Sequence, residues 1–295
     1  MYRKNKNRRI LIALIAVAVL LIILFTVAMT QSARIRAALE EARDRLEANK
    51  TPTTTAPPKD PLPGYLSLKN GAIGAMKLFY YGDDTVYGRG SGTMPADPAN
   101  EGAGQGAYSM LLHKEIAATY NGGSSIGGRI TTYTKEPHTT EVLTNDFLNN
   151  YFYYGMDFRL AILSPSDRIL EKNAEVKAKD GYEGTLTGDA GKDIEDMIRT
   201  IRENAPYCDI LLAIPYDASA SLADTLLALG GHYGLVVADL RPIGATDGMV
   251  HTEGEDIGFP TAQGHRAIAD AILAAIAEAV DAGHKSMDIP STKLY

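Results

Sequence analysis

The sequence predicts an α/β domain built on a parallel sheet with helices over both faces, and three observations carry that prediction. Short continuous apolar runs recur at 76–82 (MKLFYYG), 158–164 (FRLAILS), 208–215 (CDILLAIP) and 234–240 (GLVVADL). Segments of helical periodicity separate them, near 107–119, 139–151, 192–204 and 219–229, and an alanine-rich one follows from 261 to about 280. Strands that are apolar throughout belong in a middle layer, where neither face meets water. The third observation is size: 295 residues with 45% hydrophobic content can build one sizeable core, or at most two small ones. No repeat of solenoid period interrupts the pattern. Cys208 is the single cysteine, which excludes an internal disulfide framework and reads as a small buried packing residue.

The N-terminal part has a different character. Arg3, Lys4, Lys6, Arg8 and Arg9 precede an apolar run over 10–29. About 20 helical residues cross a hydrocarbon core of roughly 30 Å. The run lacks the small-x-small end of a cleaved leader, so an uncleaved transmembrane helix is expected. The basic flank of residues 1–9 assigns the N-terminus to the cytoplasm and the rest of the chain to the outside. Residues 30–50 place Ile35, Leu39, Ala42 and Leu46 on one helical face, a short stalk that could pair with a second copy. Residues 51–64, TPTTTAPPKDPLPG, form a stiff Pro/Thr spacer. The folded domain is then expected over 65–295.

Charge divides at the same place. Residues 1–50 hold ten Lys/Arg and four Asp/Glu, leaving nineteen and thirty-two for the remainder, a net charge of −13. A domain this acidic is poorly suited to nucleic acid, and no such partner is expected.

In a parallel sheet, ligands sit beyond the carboxyl ends of the strands. The first apolar run ends in Gly82-Asp83-Asp84-Thr85-Val86-Tyr87-Gly88, within GDDTVYGRG. The last helix is preceded by DIGFPTAQGH, Asp256 to His265. Between them lie a glycine-rich turn over 121–128 and Ser164-Pro165-Ser166-Asp167. In this order and at these spacings the blocks resemble those of the SGNH, or GDSL-type, hydrolase superfamily. The resemblance covers essentially all of 65–295 and implies a flavodoxin-like three-layer parallel sheet. It also implies acyl transfer by a serine, a histidine and an aspartate, with an oxyanion held by backbone N–H groups and an asparagine.

Carried over residue by residue, the resemblance implies a degenerate centre. Asp84 stands at the nucleophile position and Phe259 at that of the histidine. Ser166 stands where the oxyanion asparagine belongs. Asp256 keeps the place of the triad acid, and Asp83 together with Gly122, Gly123, Gly127 or Gly128 supplies the ligand-binding turn. A benzyl ring accepts no proton, so ordinary serine esterase chemistry is not expected. His251 is the candidate substitute base, set against the plainer reading of a loop histidine. Ser91 reads as a turn residue, and His265 as a packing residue at the start of a helix capped by Thr261. Asp83, Asp84 and Asp256 suit a hard cation in kind, but no dedicated ligand loop accompanies them, and neither metal nor cofactor is expected. Tyr151, Phe152, Tyr153 and Tyr154 read as aromatic packing at a helix end.

The expectation is thus a membrane-anchored extracytoplasmic domain that binds or scaffolds an envelope carbohydrate or acyl ester without turnover. The alternative is an active carbohydrate esterase or deacetylase that uses substitute residues such as His251. A homodimer through the stalk is compatible with either.

Overall fold

The computed structural model describes residues 77–120, 127–132, 140–153, 158–184, 186–206, 208–284 and 291–295. Its elements in chain order are strand β1 (Lys77–Gly82), a 3-10 turn (Asp84–Tyr87), helices α1 (Pro98–Glu101) and α2 (Tyr108–Tyr120), β2 (Gly127–Thr132), α3 (Thr140–Tyr153), β3 (Phe158–Leu163), α4 (Asp167–Lys177), α5 (Ala190–Asn204), β4 (Asp209–Ile214), α6 (Ala220–Tyr233), β5 (Val236–Asp239), α7 (Arg241–Gly244) and α8 (Ala262–Asp281). The strands form one five-stranded sheet in the order β2-β1-β3-β4-β5, and every pairing is parallel.

Alternation along the strands sorts the core into two halves. Leu78, Tyr80, Leu160, Ile162, Leu211 and Ala213 pack with Leu112 and Ile116 of α2 and with Ile268, Ile272 and Ile276 of α8. Phe79, Tyr81, Ala161, Leu163, Ile210 and Leu212 face the other way, against Phe147 of α3, Ile194, Ile198 and Ile201 of α5, and Leu222 and Leu226 of α6. Both faces of the central strands are therefore dry, which is why their sequences are apolar at consecutive positions. Cys208 is free and buried, packed in the second half. Tyr151 stacks on Phe147 with centroids 6.0 Å apart, while Phe152 is exposed.

Two elements depart from the sequence reading. Strand β2 occupies GGRITT, at the end of what reads as a glycine turn, and α4 occupies a stretch outside the helical segments expected from the sequence. The membrane-anchored topology is corrected as well. No helix among the described residues is long and apolar enough to cross a membrane. A spanning helix, a membrane as partner and a division into cytoplasmic and extracytoplasmic parts are accordingly not supported. Residues 1–76, in which the anchor, stalk and spacer were placed, lie outside the described residues.

Candidate functional site

The site forms where β1, β3 and β4 end. Asp83 caps the 3-10 turn, its Oδ1 accepting from the Thr85 N–H at 3.0 Å. That turn places Asp84 beyond the strand end, with its side chain 19% exposed. Asp84 Oδ2 accepts from Arg89 Nη1 at 3.3 Å, while Oδ1 is buried without a hydrogen-bond partner among the described residues. Burial, with the neighbouring Asp83 charge, pushes the Asp84 carboxyl up to about 6, and Arg89 and Arg168 oppose that shift. A carboxyl in this range exchanges a proton near neutral pH.

Opposite the turn, the chain doubles back on itself. Val250 bridges to Pro260, the His251 N–H donates to Phe259 O at 2.9 Å, and the Gly258 N–H donates to His251 O at 2.9 Å. This clip presents Phe259, which is buried, between two cations. The Arg89 guanidinium lies 4.3 Å from the ring centroid and that of Arg168 lies 4.5 Å from it. Each cation is also tied to carboxylates. Arg89 Nε is 3.5 Å from Asp256 Oδ1. Arg168 Nη1 is 2.8 Å from Asp83 Oδ2, and Nη2 is 2.6 Å from Asp217 Oδ2. Burial works against the Arg168 charge, but Asp83 and Asp217 outweigh it and keep the guanidinium firmly protonated. Tyr216 completes the set, donating from its hydroxyl to Gly258 O at 2.8 Å.

The remaining sequence candidates fall into place around this cluster. His251 Nε2 lies 2.8 Å from Gly90 O. A carbonyl can only accept, so Nε2 carries the proton and His251 braces the clip against the Arg89–Gly90 backbone. Gly90 itself has φ +86, and a Cβ there would lie 2.3 Å from Pro260 O, so the close approach requires glycine. Ser91 Oγ donates to Gly88 O at 2.6 Å and is committed to the turn. Ser166 is buried at the head of α4, and its Oγ has no partner among the described residues. Gly127 and Gly128 pair with Lys77 and Leu78, at the opposite end of the sheet from Asp84. Gly122 and Gly123 lie outside the described residues. The carboxylates weighed for a cation meet guanidinium groups instead, and the described residues contain no group of three or more His, Cys, Asp or Glu able to hold a metal ion.

His265 is the other histidine of the cluster, and it is structural. It is fully buried, accepts from the Tyr108 N–H at Nδ1 (3.2 Å), and lies 2.8 Å from Arg89 O through Nε2. Thr261 caps α8 by accepting from the Gly264 N–H at 3.2 Å. Burial lowers the His265 pKa, so the folded state favours neutral imidazole. The stabilisation from this group is present above its ordinary 6.5 and is lost as pH falls below that value. His265→Ala is expected to cost about 3 kcal/mol, because it leaves a cavity and two orphaned backbone groups. Thermal unfolding of both forms between pH 5 and 8 checks this, and the gap should narrow toward acid.

Two spaces adjoin the cluster. A void of ≈ 10 Å³ beneath Asp83 and Ser166 has room for no more than a single water. An open groove of ≈ 420 Å³ runs along Arg89, Gly90, Gly92, Met94, Pro95 and Asp256. Of these two, the groove is the one with room for a substrate group. Arg89, Arg168, Tyr216 and Asp217 were not singled out in the sequence. Their signal is positional: each lies just past a strand or turn at the carboxyl edge of the sheet.

No family model and no curated protein sequence matches the chain. Among solved structures, a two-domain esterase (CEX) active on acetylated mannans superposes with a TM-score of 0.51 at 15% identity, over 77% of this chain and 56% of that one. The same kind of enzyme co-crystallised with mannopentaose gives 0.50 at 13% identity, over 77% and 55%. The match thus spans about half the length of these esterases. An extracellular lipase from Streptomyces rimosus matches with a TM-score of 0.45 at 13% identity, over 68% of this chain and 99% of that one. The expectation of an anchored protein that binds without turnover is corrected on both counts. No helix among the described residues is long and apolar enough to cross a membrane, and the two structures that superpose on this chain are of esterases. At these identities the likeness is one of fold alone: a parallel sheet flanked by helices, shared with these two esterases.

Proposed function

We propose that this chain hydrolyses acyl esters, with Asp84 as general base and Arg89 as the cation that stabilises the oxyanion. The observation that carries the reading is the Asp84–Arg89 pair, in which a carboxyl with a pKa pushed up to about 6 touches a guanidinium on the wall of an open groove. Water adds to the carbonyl carbon while Asp84 Oδ2 takes its proton. The carbonyl π pair moves to oxygen, where Arg89 meets the developing charge. Arg89 spends Nη1 on Asp84 and Nε on Asp256, so the Nη2 hydrogens remain for that oxygen. Collapse breaks the ester C–O bond, and the departing alkoxide recovers the proton from Asp84. Direct attack by water needs no serine and no imidazole, which fits Asp84 and Phe259 standing at those positions.

The groove is open along its length and offers Met94 and Pro95 as apolar contacts beside the Arg89–Asp256 pair. Such a surface suits an ester borne on a sugar or a polysaccharide better than one on a long acyl chain, which calls for an enclosed apolar tunnel. Acetylated mannan, the substrate of the CEX esterase, is the first polymer to try. The full chain is expected to release acetate from an aryl acetate and from an acetylated mannan. His251→Ala should retain turnover within about ten-fold, since His251 acts on the clip and not on the proton. Absence of acetate release from both substrates contradicts the proposal, and a His251→Ala variant as inactive as an Asp84 variant assigns the base to the histidine.

A further inference from the structure

We propose that Arg168 is a positioning residue for Asp84, acting through the Asp83 carboxylate that it neutralises and the Phe259 ring that it shares with Arg89. This inference rests on the hydrolytic reading above. Arg168 enters from the first turn of α4 and ties together four groups from three places in the chain: Asp83 after β1, Asp217 after β4, and in the clip both Gly258 O at 3.4 Å and the face of Phe259. A phenyl ring has two negative faces, so it can hold one guanidinium on each side. Arg168 fixes the ring, and the ring gives Arg89 its seat opposite Asp84.

The charges facing Asp84 can be named element by element. Asp83 comes from its own turn, Arg89 from the end of that turn, and Arg168 from α4. Asp256 stands beyond Arg89, and Asp217 with the Tyr216 hydroxyl stands beyond Arg168. Asp83 is the adverse neighbour, with only 14% of its side chain exposed and an ion pair to Arg168 at 2.8 Å. Without Arg168, that carboxylate faces Asp84 uncompensated. The base must then titrate higher, and less of it is ionised at neutral pH.

The test uses the full chain with carboxyl-¹³C aspartate, whose Asp84 resonance is identified by its loss in Asp84→Asn. Arg168→Met is expected to raise the Asp84 midpoint by about one pH unit, and to move the acid limb of kcat/KM with it. Adding Asp83→Asn to Arg168→Met should bring the midpoint back down, a rescue that a purely structural role would not produce. Asp83→Asn alone keeps the N-cap, and should lower the midpoint. A folded Arg168→Met protein with an unmoved Asp84 midpoint overturns the inference, as does an Asp83→Asn protein whose midpoint fails to fall. The resonance is read without turnover, so an inactive wild-type chain would count against hydrolysis while the role of Arg168 was still decided.

Discussion

Asp84→Asn is expected to lower kcat/KM for an acetyl ester by about 10² to 10⁴, the range spanned by a positioned general base. The amide matches the carboxylate in shape, and its oxygen can still accept from Arg89, so geometry is preserved while the proton acceptor is lost. Stability should move the other way. A carboxyl raised from 3.8 to about 6 stabilises the folded state below its unfolded pKa, and that contribution is lost as pH rises through about 6. At pH 7 to 8 the native protein therefore carries a partly buried charge that asparagine removes. The variant should melt at the same temperature or higher there, and at a lower temperature than wild type toward pH 4. Activity lost while stability is kept marks a group held for chemistry. Steady-state kinetics and thermal unfolding on the same two samples check both halves.

Arg89→Met is expected to lower kcat by about 10² to 10³ with a smaller change in KM, as when one oxyanion donor is removed. Methionine keeps the length and the contact with Phe259, which separates loss of charge from loss of packing. The substitution also takes away the hydrogen bond and the cation that hold Asp84 down. The Asp84 midpoint should rise, so part of the loss at pH 7 should be recovered at pH 8 or above. A pH-independent remainder then measures the stabilisation of the oxyanion. Arg89→Lys keeps the charge without the planar fork, and should fall between the two.

How much of this was legible in the sequence depended on whether the signal was local. Strands β1, β3, β4 and β5 were readable because each is a run of consecutive apolar residues bounded by Gly, Pro or polar residues. Strand β2 was not. GGRITT at the sheet edge has two glycines and an arginine where an inner strand would carry branched side chains. Helix α4 escaped for a related reason: of its eleven residues only Ile169 and Asn173 are buried, too few to mark an apolar face. In the site, Asp83, Asp84, Asp256 and Phe259 stood out because they sit in two compact blocks. Arg168 and Asp217 stood apart because their partnership spans 49 positions, and that of Arg168 with Asp83 spans 85. Such pairs are set by the order of strands in the sheet, which no short window contains. The same limit explains the glycines, since Gly127 and Gly128 open an edge strand and lie at the far end of the sheet from Asp84.

A pH–rate profile for acetate release by the full chain, run beside Asp84→Asn, tests proton transfer to this carboxylate most directly. Turnover that climbs with pH, with a midpoint near 6 and no such limb in the asparagine variant, is the result predicted here. A profile that is flat between pH 5 and 8, or a limb that survives the substitution, would place the base elsewhere.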